Sequence, residues 1–439
     1  MTRFLAYTNP LLGHVYPIVP TLLELRRRGH DVALYTGEAA AEPLRRLGLG
    51  VRAVDPELER IENDDWKART PVGAQKRDVE NLARRARLEI PDLERAIAQE
   101  RPEALIIDVT AFGASAVAER SGLPWAHAVH FPVPVPSRDV PPYGLGLTPR
   151  HDVLGRIRDA VARRLVLGLL ERTILPPINE MRAGVGARPL EDGTDYFARL
   201  APLSLYYSAE PFEYARSDWP PSFRLIGPGA WDPPAESLDW LEAVERPLVL
   251  VTCSSDFQND GRLVEAALAG LAQEEVFVVA TTAGVDPKGF ATPANARLER
   301  YLPHGPILER AACVVCHAGM GITQKALGAG VPVCAVPFGR DQFEVARRVV
   351  VADAGVMLAK GKLRPRRVRR AVVEAMARKA GAARVASGFA AAGGAAAAAD
   401  ALEEVSCGRS GTTRRPFVEG SQAAEQLRAA GQAKREELR

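Results

Sequence analysis

Residues 314–356 read VVCHAGMGITQKALGAGVPVCAVPFGRDQFEVARRVVVADAGV. The apolar run Cys313–Cys316 ends at His317, and a turn of small residues and a short helical pattern follow it. A second apolar run, Val331–Phe338, leads into another helical pattern headed by Asp341. The stretch therefore predicts strand, turn and helix twice over. In a parallel α/β sheet both turns lie at the same edge, which is where ligands bind.

The first of these turns has the composition of an anion site. Gly319 and Gly321 leave the backbone N–H groups at a helix start free of side-chain bulk, which suits a diphosphate. Asp341 and Gln342, at the second turn, can form hydrogen bonds with hydroxyl groups. A diphosphate that carries a polyol is a nucleotide-sugar, so this sheet edge predicts a nucleotide-sugar site.

The bulk composition excludes several classes of protein. The chain has 439 residues, enough for two or three domains, with the apolar (47%) and charged (25%) content of a globular protein. A net charge of +3 argues against a nucleic-acid partner. No run approaches 18 uninterrupted apolar residues, so we expect no stable membrane insertion. The strand-like start MTRFLAYT and five sparse cysteines predict a cytoplasmic protein.

Cys313 and Cys316 form a CxxC pattern, which invites a metal or redox interpretation. They lie within an apolar strand, where residues three apart point to opposite faces of the sheet. The pair is therefore predicted to be two buried small hydrophobic residues.

Strand and helix patterns alternate in both halves of the chain. The apolar runs of the first half are Phe4–Thr8, Val32–Thr36, Val51–Val54, Ala104–Val109 and Trp125–His130. Those of the second half are Leu248–Thr252, Val276–Thr282, Cys313–Cys316, Val331–Val336 and Val356–Ala359. The pattern predicts an α/β fold of two doubly wound, Rossmann-like lobes that face each other across a cleft.

The domain boundaries follow from shifts in composition. A stretch rich in Pro and Gly marks the linker, and Cys407 to Arg439 has the polar composition of a disordered segment or a loose helix. We expect a first lobe over 1–218, a linker over 219–246, a second lobe over 247–390, a C-terminal helix over 391–405 and a polar tail over 406–439.

A histidine and an aspartate are predicted to meet at the edge of the first sheet. His14 follows the first strand, and Asp108 ends the fourth. In the doubly wound order 3-2-1-4 these two strands are neighbours, so the loops that follow them lie close together. An aspartate that accepts from one ring nitrogen leaves the other nitrogen able to take a proton. A satisfied loop histidine and an Asp108 that caps the helix Phe112–Ser121 are the alternatives.

These motifs carry a family resemblance that spans residues 1 to 405. The stretch 314–356 resembles the donor-binding signature of family 1 glycosyltransferases of the GT-B fold, and most resembles the actinobacterial macrolide type that decorates natural products. GHVYP, at residues 13–17, is similar to the family's GHxxP motif, whose histidine is the general base. Asp108 matches the position of its orienting aspartate. The resemblance implies a metal-independent, inverting transfer from an NDP-sugar (dTDP or UDP) to a hydroxyl or amine of a small hydrophobic aglycone, without a cofactor.

The resemblance also implies the residues that contact the donor. One of the serines that follow the strand Leu248–Thr252 would contact the diphosphate or the sugar, with helix capping as the alternative. Tyr301 matches the position that stacks on the nucleobase, with a buried strand-end tyrosine as the alternative. The predicted donor-binding residues are Ser254, Ser255, Tyr301, Leu302, His317, Gly319, Gly321, Ile322, Thr323, Asp341 and Gln342.

The acceptor is expected against the first lobe. The predicted contacts are Leu11, Leu12, Phe112 and Phe131, together with the helix Val153–Leu175, which could instead be ordinary core. His127 and His130 are candidates for the same pocket, although histidines at such positions more often belong to the core or the rim.

Four residues depart from the family signature: Ala318, Ile322 and Lys325 replace a glycine, a threonine and a glutamate, and Val345 replaces an asparagine often found after Asp-Gln. That glutamate commonly accepts hydrogen bonds from ribose hydroxyls, which a lysine cannot do. Lys325 therefore leaves a dTDP donor at least as plausible as a UDP donor. Its ammonium group could also bind a phosphate.

Two other functions remain open on the sequence. One is a GT-B transferase of the glycolipid type that works at a membrane surface, and the other is a catalytically silent protein that binds a nucleotide-sugar. The sequence does not identify the sugar or the aglycone, and it leaves a homodimer open.

Overall fold

Two parallel sheets organise the chain, in a computed structural model that describes residues 1–234 and 237–408. The strands are β1 (Arg3–Tyr7), β2 (Asp31–Thr36), β3 (Gly50–Ala53), β4 (Ala104–Asp108), β5 (Trp125–Val129), β6 (Leu203–Tyr206), β7 (Phe223–Leu225), β8 (Leu248–Thr252), β9 (Phe277–Thr281), β10 (Ala296–Glu299), β11 (Ala311–Cys316), β12 (Val333–Ala335) and β13 (Gly355–Met357). The first sheet has the order β3-β2-β1-β4-β5-β6-β7 and the second the order β10-β9-β8-β11-β12-β13. The predicted pair of doubly wound α/β lobes is confirmed.

Helices connect the strands and cover the faces of both sheets. They are α1 (Leu12–Val15), α2 (Val19–Arg27), α3 (Glu38–Arg46), α4 (Pro56–Glu59), α5 (Pro71–Glu100), α6 (Phe112–Ser121), α7 (Val153–Thr173), α8 (Leu175–Gly184), α9 (Asp195–Ala198), α10 (Arg262–Leu271), α11 (His304–Leu308), α12 (Met320–Gly328), α13 (Gln342–Val351), α14 (Pro365–Met376), α15 (Lys379–Ala391) and α16 (Gly394–Ser406).

The strands are apolar on both faces because each sheet lies between two layers of helices. In β1, Leu5 and Phe4 belong to apolar clusters on opposite sides of the first sheet. In β11, Cys313 and Cys316 likewise belong to different clusters, and both are free and buried. The prediction that these cysteines face opposite ways is confirmed.

Three strands of the structure, β6, β7 and β10, have no counterpart among the predicted runs. β7 lies inside the predicted linker 219–246, yet it pairs in parallel with β6, so the first sheet extends beyond residue 218. β7 has only three residues and lies at the edge of the sheet, where the apolar signal of a strand is weakest.

The C-terminal helices contact both lobes. Val385 and Phe389 of α15 pack in the second lobe, whereas Leu402 and Val405 of α16 pack beside α2 in the first. Lys379–Ser406 has the length and mean hydropathy of a membrane span, but the positive φ of Gly393 divides it into two packed helices. The predicted tail, 406–439, lies outside the described residues from 409 onward.

Candidate active site

His14 and Asp108 lie together at the edge of the first sheet. His14 belongs to α1, which follows β1 after a short turn, and Asp108 is the last residue of β4. β1 and β4 are hydrogen-bonded neighbours, with Tyr7 paired to Ile107. His14 Nδ1 is 2.9 Å from Asp108 Oδ2. The proximity that the strand order predicts is therefore confirmed.

The surroundings of Asp108 fix its charge. Asp108 Oδ1 accepts from the backbone N–H and the hydroxyl of Thr110 (2.7 and 2.8 Å), and the N–H of Asn9 reaches Oδ2 at 3.3 Å. Burial raises the pKa of Asp108, but the charges of His14 and His130 and these hydrogen bonds outweigh it and hold the pKa well below its usual range. The helix-capping alternative is wrong, because α6 begins after Ala111 without a side-chain cap.

An ionised Asp108 can only accept, so the proton of a neutral His14 lies on Nδ1. Nε2 then carries the free lone pair, and it has no hydrogen-bond partner within the part of the chain that the structure describes. The side chain of His14 is 19% exposed. The imidazole is therefore oriented to take a proton from a molecule in the cleft.

His130 is a member of this site that the sequence analysis underrated. Its ring meets the ring of His14 edge-on, with centroids 4.5 Å apart. Burial lowers the pKa of His130 to about 4, so it is neutral at physiological pH. It directly follows β5, the neighbour of β4, and this adjacency was the signal available in the sequence. His127, in contrast, is buried against the hydroxyl of Ser115 at 3.0 Å.

The first turn of α12 carries free backbone amides. A Cβ atom at Gly319 would lie 2.2 Å from Nε2 of His317, so the imidazole covers the backbone at this residue. The N–H of Thr323 donates to the carbonyl of Gly319, and its hydroxyl contacts the buried Cys316. Including Thr323 among the donor contacts was therefore wrong. The amides without an intrahelical partner are those of the first turn, up to Ile322.

At the second turn, Asp341 and Gln342 have different surroundings. The side-chain oxygen of Gln342 accepts from the N–H groups of Phe338 and Gly339, and its nitrogen donates to Gln258. Gln342 therefore holds the turn together and is not free for the donor, contrary to prediction. Burial raises the pKa of Asp341 to about 6, against the attraction of Arg340 and His14. Asp341 thus lies within electrostatic range of His14.

The remaining predicted donor residues differ in exposure. The N–H of Ser254 donates to Asp260 at 2.8 Å, whereas Ser255 is exposed. Tyr301 is 53% exposed, so the alternative of a buried tyrosine is wrong. The side chain of Leu302 packs in the core of the second lobe, as Ile322 does in part, so either could meet a ligand mainly through its backbone.

Of the four predicted acceptor residues, Phe112 belongs to the core and Leu12 is partly buried. Phe112 is 4% exposed and stacks on Tyr196, and Leu12 packs into the apolar cluster beneath β1. Phe131 instead lies 6.2 Å from the ring of His14 and contacts the apolar clusters of both lobes. Leu11 precedes α1 and is partly buried. Among the predicted acceptor residues, the structure therefore brings the ring of Phe131 close to His14.

The helix predicted to line the acceptor pocket or the core, Val153–Leu175, is not core along much of its length. Its residues at i, i+4 spacing form an outward apolar face, with exposures from 57% to 71%. That face consists of Val153, Leu154, Ile157, Val161 and Leu165.

Charged contacts that the sequence analysis did not predict join the two lobes around the donor turns. Arg340, at the second turn, binds Asp65 of the first lobe (2.7 Å) and Asp256 of the second (2.7 Å). Further from the site, Arg348 of α13 binds the buried Glu213 at 2.9 Å. Such pairs link residues 84 to 275 positions apart and leave no local pattern in the sequence.

Two Rossmann-like lobes, with an amide-lined turn on one and a histidine–aspartate pair on the other, define a GT-B glycosyltransferase. A family model described as "Erythromycin biosynthesis protein CIII-like, C-terminal domain" matches residues 263–405. The 4'-demethylrebeccamycin synthase of Lentzea aerocolonigenes is 34% identical over 388 residues, which cover 84% of this chain and 90% of that protein. The chain therefore belongs to the family 1 glycosyltransferases of actinobacterial natural-product biosynthesis.

Solved structures share the whole fold. CalG4, the calicheamicin glycosyltransferase, superposes with a TM-score of 0.68 at 20% identity and covers 94% of this chain and 100% of its own. SsfS6 of Streptomyces sp. SF2575, complexed with thymidine diphosphate, gives a TM-score of 0.65 at 17% identity, with coverage of 92% and 100%.

Proposed function

We propose that this glycosyltransferase moves a sugar from a dTDP- or UDP-sugar to a hydroxyl or amine of a small hydrophobic natural-product aglycone, with inversion. The observation that carries the proposal is the His14–Asp108 hydrogen bond of 2.9 Å, which leaves Nε2 unpaired at the cleft. The attraction between His14 and Asp341, at the second turn of the other lobe, supports this role because it acts across the two lobes.

In the proposed reaction His14 acts as the general base. Its Nε2 takes the proton of the acceptor hydroxyl while the oxygen attacks the anomeric carbon. The bond between that carbon and the diphosphate breaks on the opposite face, which inverts the configuration. Asp108 stabilises the imidazolium as it forms. No metal ion takes part in this scheme.

The leaving diphosphate gains negative charge at the first turn of α12. The amides of Met320, Gly321 and Ile322 lie in the first turn of α12 and have no partner inside this helix, and the helix dipole there also favours an anion. Burial lowers the pKa of His317, so a neutral imidazole covers the same turn and can donate one hydrogen bond. Preorganised donors of this kind stabilise charge that develops in the transition state.

The choice of substrates rests on relatives and on the apolar surroundings of His14. A similar structure holds thymidine diphosphate, and a relative that aligns with 84% of this chain is named 4'-demethylrebeccamycin synthase. Phe131 and Leu11 offer apolar contact near the base, which suits a hydrophobic acceptor. We expect the enzyme to act in the cytoplasm.

Thermal unfolding with UDP, dTDP, GDP and ADP tests the donor site. A ligand at 100 times its dissociation constant adds about 2.7 kcal/mol to the free energy of unfolding, which is readily measured. A shift with dTDP or UDP alone supports the proposal and selects the sugars for a transfer assay, in which NMR of the product reports the anomeric configuration. A shift without any transfer would favour the catalytically silent protein that binds a nucleotide-sugar, and the lack of a shift with every nucleotide would count against a donor site.

A transferase that acts on lipid acceptors at a membrane surface is the second candidate. The exposed apolar face of α7 favours it, because Arg164 and Arg172 lie among those apolar residues and are themselves exposed. Sedimentation with anionic vesicles distinguishes the two: binding that Leu154→Ser and Leu165→Ser abolish supports the lipid acceptor, whereas a protein that stays in the supernatant argues against it.

A further inference from the structure

An ion pair joins α12 to the segment between the lobes. Nζ of Lys325 lies 2.5 Å from Oδ1 of Asp232, and the backbone N–H of Gly305 donates to Oδ2 at 3.2 Å. The side chains of Lys325 and Asp232 are 15% and 23% exposed. Neither side chain has a part in the chemistry at His14. The carboxylate is therefore held in a fixed orientation but remains partly exposed.

Both partners retain unused hydrogen-bonding capacity. A carboxylate has about four lone-pair positions, and an ammonium has three donors; Asp232 uses two acceptor positions and Lys325 one donor within the described residues. Burial lowers the pKa of the nearby His304 to about 4, so this histidine is neutral and adds no charge. The pair thus offers a ligand both acceptors and donors at neutral pH.

Asp232 lies beside the half-exposed Tyr301. Burial and then the negative charge of Asp232 raise the pKa of Tyr301, and the same two causes raise the pKa of Tyr16 in the first lobe. Trp231 meets the ring of Tyr16 with centroids 4.9 Å apart. A Cβ atom at Gly229 would lie 1.7 Å from the carbonyl oxygen of Pro17, so the segment is pressed against the first lobe. The carboxylate is consequently preorganised between the lobes.

The position of the Lys325–Asp232 ion pair corresponds to the pentose of the expected donor. Lys325 lies on the second turn of α12, and side chains on a helix lean towards its N-terminus, here the turn with the free amides. A nucleoside diphosphate with its phosphates at that turn and its base against Tyr301 would place its pentose beside Lys325 and Asp232. Hydroxyl groups of a pentose need acceptors, and the carboxylate supplies them.

We propose that Asp232, oriented by Lys325, accepts a hydrogen bond from the 3′-hydroxyl of the donor nucleoside. This inference rests on the proposed function, because it assumes that a nucleoside diphosphate occupies the second lobe. Lys325 cannot accept a hydrogen bond from a hydroxyl. Instead it holds the carboxylate of Asp232, from the segment between the lobes, within reach of the pentose. The 3′-hydroxyl is common to dTDP and UDP, so Lys325 does not exclude a ribonucleotide donor.

Calorimetric titration with dTDP and with 2′,3′-dideoxythymidine diphosphate tests the inference. The parent protein should bind dTDP about 10-fold more tightly or better, because a hydrogen bond to a charged group is lost with the hydroxyl. The double variant Asp232→Ala/Lys325→Met removes both charges together and should bind the two nucleotides alike. Glu274→Ala/Arg369→Met, which removes an ion pair of 2.7 Å elsewhere on the second lobe, should keep the discrimination.

A variant with the two charges exchanged tests whether the loss of discrimination results from misfolding. Asp232→Lys/Lys325→Glu keeps the ion pair and a carboxylate at the cleft, so it should fold and retain at least part of the preference for dTDP. Equal binding of the two nucleotides by the parent, or an unchanged preference in the Asp232→Ala/Lys325→Met variant, would overturn the inference and leave the proposed function standing. Failure of the parent to bind any nucleoside diphosphate would instead count against the proposed function.

Discussion

His14 Nδ1 and Asp108 Oδ2 are 2.9 Å apart, although 94 positions separate the two residues in the chain. The contact depends on the order of the strands, because β1 and β4 are neighbours and each residue follows or ends one of them. Thr110 donates two hydrogen bonds to the other carboxylate oxygen. The pair is therefore supported from both the first and the fourth strand, which fixes the direction of Nε2.

Loss of this pair should abolish transfer and spare donor binding. His14→Ala should lower kcat by about 10²–10⁴-fold, the usual contribution of a general base. Asp108→Asn should cause a comparable loss, because an amide can donate to Nδ1 and move the ring proton to Nε2. Initial rates at saturating donor, with calorimetric binding of dTDP as the control, measure both effects. A His14→Ala enzyme that keeps its turnover would show that another group is the base.

The two glycines at the start of α12 should respond oppositely to alanine. A Cβ atom at Gly319 would collide with the imidazole of His317, so Gly319→Ala should lower the free energy of unfolding by about 1–3 kcal/mol. A Cβ atom at Gly321 meets no atom within 4 Å, and the residue is helical, so Gly321→Ala should raise it by up to about 1 kcal/mol. Urea unfolding measures both. Equal effects would mean that His317 does not rest on Gly319.

The sequence predicts the parts of this molecule that depend on periodic patterns. Apolar runs identify most strands, and the strand order brings His14 to Asp108. β6, β7 and β10 were not predicted, because a polar residue (Ser204, Arg224 or Arg297) interrupts each of these short strands. Phe112 was misassigned because an aromatic residue at a helix start can face the cleft or the core, and only the packing of Tyr196 decides between them.

Side-chain contacts across the cleft could not be predicted from the sequence. Gln342 bonds to its own turn instead of facing a ligand, and this choice depends on the position of Gln258. The pairs of Lys325 with Asp232 and of Arg340 with Asp65 join residues 93 and 275 positions apart. Such contacts are set by the relative placement of the lobes, for which one sequence contains no periodic signal.

The contact between Arg340 and Asp65 should couple the two lobes. Asp65 is 8% exposed, so removal of either partner leaves a poorly solvated charge and should lower the free energy of unfolding by about 1–3 kcal/mol. The double variant Asp65→Ala/Arg340→Ala should cost less than the sum, with a coupling of about 1–2 kcal/mol. Glu38 and Arg45 form an exposed pair, for which the same cycle should give at most about 0.5 kcal/mol. Strict additivity at Asp65 and Arg340 would contradict the proposed coupling.

Asp78 of α5 should make the stability of the protein depend on pH. Burial, and then the negative charge of Asp65, raise its pKa from 3.8 to about 7. The folded protein therefore keeps the proton more tightly than the unfolded chain does. Stability is lost as the pH rises from about 4 to about 7 and changes little above that range.

Asp78→Asn removes this penalty. The gain in the free energy of unfolding should be near zero at pH 4 and about 1–3 kcal/mol at pH 8, below the ceiling of about 4 kcal/mol that a shift of three pKa units allows. Urea unfolding at both pH values measures the gain, with Asp31→Asn, at an exposed carboxylate on β2, as the matched control. A gain at pH 4 as large as that at pH 8 would show that Asp78 acts through its shape, because its ionisation differs between these two conditions and its volume does not.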